Sequence, residues 1–430
     1  MKDATSRVKD IALLLFFLFL FFLPLYEAPK NIFSVLFIFI GGWIAYHQHA
    51  VARFKSKDFI VWVCLLLAIS PLMAGLDSPY MNTFERLKSA LNWAVMPLIM
   101  LVILLIGFSK EHLLWAYRVI CLGTSVATIE AMISRTGSVP ELNSVGHVNQ
   151  SALYLAFSLI PALVLLISSK KNIFDWVLSL GTIWLIAWFQ APAKSLIAAI
   201  TCVLIATSFI GLICARRFTP LMLAVCILIG GGAAYWVIKL EPAHFGVYAG
   251  LKSEFDDRLS SDTDPFSKRD RLVKTSIAVA KDSAFGFGLS SFGRATQVDE
   301  LQRIVVQNNS VWTLEKDKYF SSSHGHNLFA NVLVERGWFG VSVFAVFFVV
   351  VIYRLSLKWM TTDAQVGLVS ILVALTAGLG QSTFHVEHGQ LIFCILGMQL
   401  ASLEVVGSEI GCRGLAAPED RQVIQKNSSI

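Results

Sequence analysis

Ser323-His324-Gly325-His326-Asn327 closes a long polar segment and opens a strongly apolar one. Nine residues then separate Asn327 from Gly337, and two more separate Gly337 from Gly340. A histidine with a near-neutral pKa can take a proton from a hydroxyl and so make it a nucleophile. His326 and His324 both qualify, and sequence alone does not rank one far below the other. Asn331, Glu335 and Arg336 follow inside the apolar run. Polar and ionisable groups at membrane depth are costly, and they mark either a site or a paired contact between helices.

Two cationic positions could serve such a base. Lys194 stands in Gln190-Ala191-Pro192-Ala193-Lys194-Ser195, a stretch with no other charge. It reads either as a helix-end lysine that snorkels to the interface or as an anion ligand. Ser267-Lys268-Arg269-Asp270-Arg271 opens a helix-like stretch over 268–284. It reads as a solvated face or as an anion site, because guanidinium groups fork onto phosphate oxygens and keep their charge. Gly286-Phe287-Gly288 lacks the strand-to-helix context of a dinucleotide loop and reads as a turn.

These residues are positioned by a chain that reads almost wholly as membrane. Its 430 residues are 56% hydrophobic and 15% charged, with a mean hydropathy of +0.66, whereas soluble domains average roughly 25% charged. The apolar blocks are near the ~20 residues that a helix needs to cross a bilayer, about twice the length of a barrel strand. The expected fold is therefore an all-α polytopic membrane protein. The formal charge of +6 lies in short connectors, where it sets topology and gives no sign of a nucleic-acid partner. The seven cysteines are scattered without metal-site spacing, and no cluster of carboxylates points to a metal. Lys2, Arg7 and Lys9 precede the first apolar run. No small-residue cleavage site follows, so this run reads as a retained helix.

Twelve apolar blocks can be counted, near 11–27, 31–46, 59–76, 90–108, 112–133, 151–168, 173–190, 195–213, 218–240, 327–353, 364–384 and 389–406. The fifth, with Arg118 and Glu130, is the least apolar in character. Alternate connectors are basic: Arg53, Lys55 and Lys57; Lys110; Lys170 and Lys171; Arg216 and Arg217; Arg354 and Lys358; then the tail with Arg413, Arg421 and Lys426. The positive-inside rule places these connectors and both termini in the cytoplasm. The expected divisions are 1–240 with helices 1–9, a partly helical outer loop over 241–326, 327–406 with helices 10–12, and a cytoplasmic tail over 407–430. His324, His326, Lys194, Arg269 and Arg271 then all face outward.

The chain resembles the O-antigen ligase and polymerase superfamily, integral-membrane enzymes that move glycans from a polyprenyl-diphosphate carrier on the periplasmic face. The ligase pattern is His, then Asn, Ser or Gln, nine residues, Gly, two residues, and Gly, Thr or Tyr. His326, Asn327, Gly337 and Gly340 meet it, and the span layout with its large outer loop matches as well. The resemblance implies a bacterial inner-membrane enzyme with a periplasmic site. It implies an undecaprenyl-diphosphate-linked glycan as donor, lipid A–core as acceptor, and neither metal nor cofactor.

The same resemblance implies roles. His326, with His324 as alternative, is the base or positions the acceptor hydroxyl. Lys194 stands where members usually carry Arg, keeping the charge and losing the fork. Arg269, or its neighbour Arg271, matches an Arg that opens the loop helix. An O-antigen polymerase using the same donor is the alternative within the class. A secondary transporter would need repeats and broken helices near the bilayer midplane, and no repeat is evident in the sequence.

Overall fold

The computed structural model describes residues 2–47, 59–76, 78, 80–134, 140–168, 172–193, 195–214, 265–281, 283–296, 303–305, 311–313, 326–384 and 386–415. The helices are α1 (Lys2–Phe22), α2 (Glu27–His47), α3 (Phe59–Met73), α4 (Thr83–Ile106), α5 (Lys110–Ile133), α6 (Val148–Ser168), α7 (Ile173–Ala193) and α8 (Leu196–Cys214). After these come α9 (Pro265–Ala280) and the single turn α10 (Phe292–Ala295). A small antiparallel pair follows, β1 (Arg303–Val305) with β2 (Val311–Thr313), in which Ile304 faces Trp312. Last are α11 (Leu328–Ser356), α12 (Thr362–Gly378) and α13 (Val386–Leu415).

Among the described residues the protein is thus helical, with six helices long and apolar enough to cross a membrane: α2, α4, α5, α6, α7 and α11. Shorter apolar helices cover Phe59–Met73, Ile197–Leu212 and Thr362–Gly378. Of the twelve apolar blocks in the sequence, 218–240 lies outside the described residues, and each of the others overlaps a helix. Large apolar side chains stay on the outside of the bundle, with Phe39 72% and Val349 66% exposed. Such a surface is covered by lipid acyl chains rather than water.

Inside, one continuous core contains Phe16, Phe19, Phe37, Phe108, Tyr117, Tyr154, Phe157, Phe347 and Phe393. The helix starts are written into the sequence. Asn82 and Glu85 form a reciprocal cap on α4, as do Ser109 and His112 on α5, while the side chains of Asn327 and Thr361 cap α11 and α12.

The charges that make α5 look unlike a membrane helix are paired. Arg118 donates from Nε and Nη2 to the two carboxylate oxygens of Asp175 at 2.7 and 2.9 Å, and its guanidinium lies over Trp115. At the other end of α5, Glu130 accepts from the Tyr26 hydroxyl and the Asn143 amide. That carboxylate also holds the Tyr26 phenol above its ordinary pKa range, through the hydrogen bond first and its charge second.

The segment before α11 is fastened to the bundle. α9 packs along α11, and a second cluster joins Leu272, Phe292 and Ala295 to Val334 of α11, with Tyr80, Val279 and Phe287 around it.

Candidate functional site

His326 sits immediately before α11 with a left-handed backbone, φ 42°. Among non-glycine residues, His, Asn and Asp are enriched in that region. Its half-buried ring turns Nδ1 to Gln381 Oε1 at 3.2 Å. An amide oxygen can only accept, so Nδ1 is the donor in this contact. Asn327 holds the turn. Its Oδ1 accepts from Ala330 N, and its amide donates to Leu379 O, both at 3.0 Å. One turn on, the Asn331 amide donates to Ser382 Oγ at 2.6 Å. The α12–α13 connector is therefore stitched to the head of α11 by the side chains of His326, Asn327 and Asn331.

The two motif glycines have separate jobs. Gly337 breaks α11, with φ 63° and ψ −166°. The break frees backbone groups that would otherwise lie unpaired, and a loop after α9 takes them up. Phe287 N and Gly288 N donate to Val334 O and Glu335 O at 2.9 Å, and Phe339 N donates to Ala284 O at 2.9 Å. Ser290 N donates to the Glu335 carboxylate, also at 2.9 Å. Gly340, three residues further on, clears space for Arg336: a Cβ there would strike Arg336 Cβ and crowd its Cγ and Cδ.

Arg336 fills that space. Its guanidinium lies 3.6 Å from the centre of the Trp93 ring and 5.1 Å from that of Phe344. The side chain is only 4% exposed. It borders a cavity of about 270 Å³ between the first turns of α2 and α13, the middle of α4 and the first half of α11. On the opposite wall, the buried Lys30 of α2 is ion-paired with Glu387 of α13. Ser382 also lines the cavity, and its chain neighbour Gln381 is the residue that holds His326.

The sequence-derived residues fare unequally. His326, Asn327, Gly337 and Gly340 come together at the head of α11, which the break and its docked loop build. Arg269 and Arg271 lie on α9, the helix that packs on α11, although their side chains lie outside the described residues. Lys194 and His324 also lie outside the described residues. Among the described residues, no three His, Cys, Asp or Glu side chains gather as a metal site would require.

No family model and no curated protein matches the chain. Function must therefore be argued from the site itself.

Lys30, Trp93, Gln381, Ser382, Glu387 and Gln390 carry no motif. One signal was available, since Lys30 and Glu387 each stand at the edge of an apolar block. Their pairing across 357 positions was not. Gly286 and Gly288 do form a turn, as their types indicate, and that turn also closes the break in α11.

Proposed function

We propose that this protein is a membrane glycosyltransferase of the O-antigen ligase type. It transfers a glycan from undecaprenyl diphosphate to lipid A–core at the periplasmic face of the bacterial inner membrane. The observation that carries the reading is the arrangement around His326: its ring is held through Nδ1 by Gln381, whose neighbour Ser382 lines a polar cavity, and it stands ahead of a helix whose break coincides with the first motif glycine. A structural histidine would need neither the break nor the cavity.

In this reading His326 Nε2 accepts the proton of the acceptor hydroxyl as its oxygen attacks the anomeric carbon. The bond from that carbon to the diphosphate oxygen breaks, and undecaprenyl diphosphate leaves with the electron pair. One displacement inverts the anomeric centre. His324 is the alternative base. Lys194 and Arg269, with Arg271 beside it, hold the diphosphate and stabilise the charge that grows on the leaving oxygen. Diphosphate leaves readily, so the proposed reaction runs without metal or cofactor. The proposed topology has twelve spans and both termini in the cytoplasm.

A polymerase would use the same donor and the same chemistry with a growing glycan as acceptor. A transporter reading calls for internal repeats as well as broken helices, and no repeat is evident in the sequence.

Deleting the gene and analysing both lipopolysaccharide and carrier-linked glycan separates the readings. Loss of a ligase leaves bare core, with long polymer still on the carrier. Loss of a polymerase leaves core capped by one repeat unit. Unchanged long-chain lipopolysaccharide defeats both.

A further inference from the structure

The cavity beneath the first turns of α11 holds an unusual set of unpartnered atoms. Among the described residues, Nε and Nη1 of Arg336, Oε2 of Glu387 and Oε1 of Gln390 are buried without a hydrogen bond, and all three side chains line this cavity. Glu387 is 1% exposed and Gln390 7%. Buried polar groups are ordinarily satisfied, so unpaired donors and acceptors on residues that line one space point to a ligand that completes them.

The mixture restricts what that ligand is. Arg336 needs an acceptor, whereas Glu387 Oε2 and Gln390 Oε1 need donors. A phosphate or carboxylate only accepts, and it would meet the carboxylates of Glu387 and Glu335. A cation only donates, and it would meet Lys30 and Arg336. Hydroxyl groups do both. The volume of about 270 Å³ falls just below the ~300–1,000 Å³ of pockets that take drug-sized ligands. It suits one ring and not a chain of them.

We infer that this cavity is a subsite for one neutral sugar ring of a substrate, with Arg336 donating to its oxygens and Glu387 and Gln390 accepting from its hydroxyls. The inference rests on the glycan-transfer reading and adds to it a place where a sugar is read by its hydroxyl pattern. Lys30 holds Glu387 Oε1, so that Oε2 is left to point at the ring. Trp93 fixes the guanidinium plane from below. Ser382 lines the subsite and its chain neighbour Gln381 holds His326, so the two are linked through the α12–α13 connector.

The test is steady-state transfer by the full chain in nanodiscs, with donor and acceptor varied separately, together with saturation-transfer NMR on methyl glycosides of glucose, galactose and N-acetylglucosamine. Gln390→Ala should raise KM roughly three- to tenfold, as expected for one lost hydrogen bond to a neutral group, while kcat stays within about twofold of wild type. A rise confined to the acceptor assigns the ring to the acceptor, and a rise confined to the donor assigns it to the donor. Arg336→Lys, which keeps the charge and loses the fork, should weaken the same substrate.

Normal transfer with both KM values unchanged in both variants would overturn the subsite, leave the enzyme reading standing, and make the cavity a water-filled one. If wild type catalyses no transfer, the NMR decides alone. Saturation of a neutral sugar that is lost in Gln390→Ala supports the subsite without the enzyme. No saturation of any of the three sugars, or their displacement by inorganic phosphate, overturns it.

Discussion

Gly286 and Gly337 meet backbone to backbone, each at positive φ, 68° and 63°. A Cβ on Gly337 would run into Ala284 O and Gly286 N, and one on Gly286 would run into the main chain of residues 335–337. The break in α11 and the loop that satisfies it are therefore one unit, and each glycine exists for the other.

Alanine at either position should be costly. Left-handed backbone costs a side-chain-bearing residue roughly 1–2 kcal/mol, and forcing a methyl into a packed contact adds about 1–3 kcal/mol. Gly337→Ala and Gly286→Ala should each lower the melting temperature of the purified protein and reduce its yield. Gly181→Ala on α7, where a Cβ meets nothing within 4 Å, should do neither. Equal melting temperatures for all three variants would contradict the account of the break.

The buried pair of Lys30 with Glu387 makes a second prediction. Removing one partner strands the other charge, at a cost of about 3–5 kcal/mol for a buried pair. Lys30→Met and Glu387→Leu should therefore each destabilise the bundle. The double replacement Lys30→Met with Glu387→Leu should recover most of the loss, because no unpaired charge remains. Additive losses in a double-mutant cycle would show that the two residues act separately.

Gln381 makes a third prediction, about pH. In the proposed mechanism His326 works as a neutral base. Gln381→Glu puts a carboxylate against Nδ1, and a nearby opposite charge favours the imidazolium. More alkaline solution is then needed to free the base, so the acid limb of the kcat/KM profile should move upward. Gln381→Leu should instead lower kcat without that shift, through loss of ring orientation. Identical profiles for wild type and Gln381→Glu would remove Gln381 from the site.

Much of the bundle was legible in the sequence because apolar length and cap residues are local signals. The capped starts at Asn82, Ser109 and Asn327 can be read from a few neighbouring residues. The His326–Gly340 pattern was legible for the same reason, as it lies within fifteen consecutive residues. What could not be read depends on pairing across distance. Nothing near Lys30 announces Glu387, and nothing near Trp93 announces Arg336. Gly286-Phe287-Gly288 gave away its turn, but the backbone it approaches lies some fifty residues further along the chain. Arg336 itself stood out as a charge in an apolar run, yet its unpaired nitrogens became evident only with the cavity wall in place.

The central claim is that His326 serves transfer of a glycan from a polyprenyl diphosphate to lipid A–core. The most direct measurement reconstitutes purified protein with undecaprenyl-diphosphate-linked glycan and lipid A–core, and follows both the glycosylated lipid and the released undecaprenyl diphosphate. Wild type should yield equal amounts of the two products, and a His326→Ala variant that inserts and melts normally should yield neither. Full activity of that variant, or no transfer by well-folded wild type, would contradict the claim.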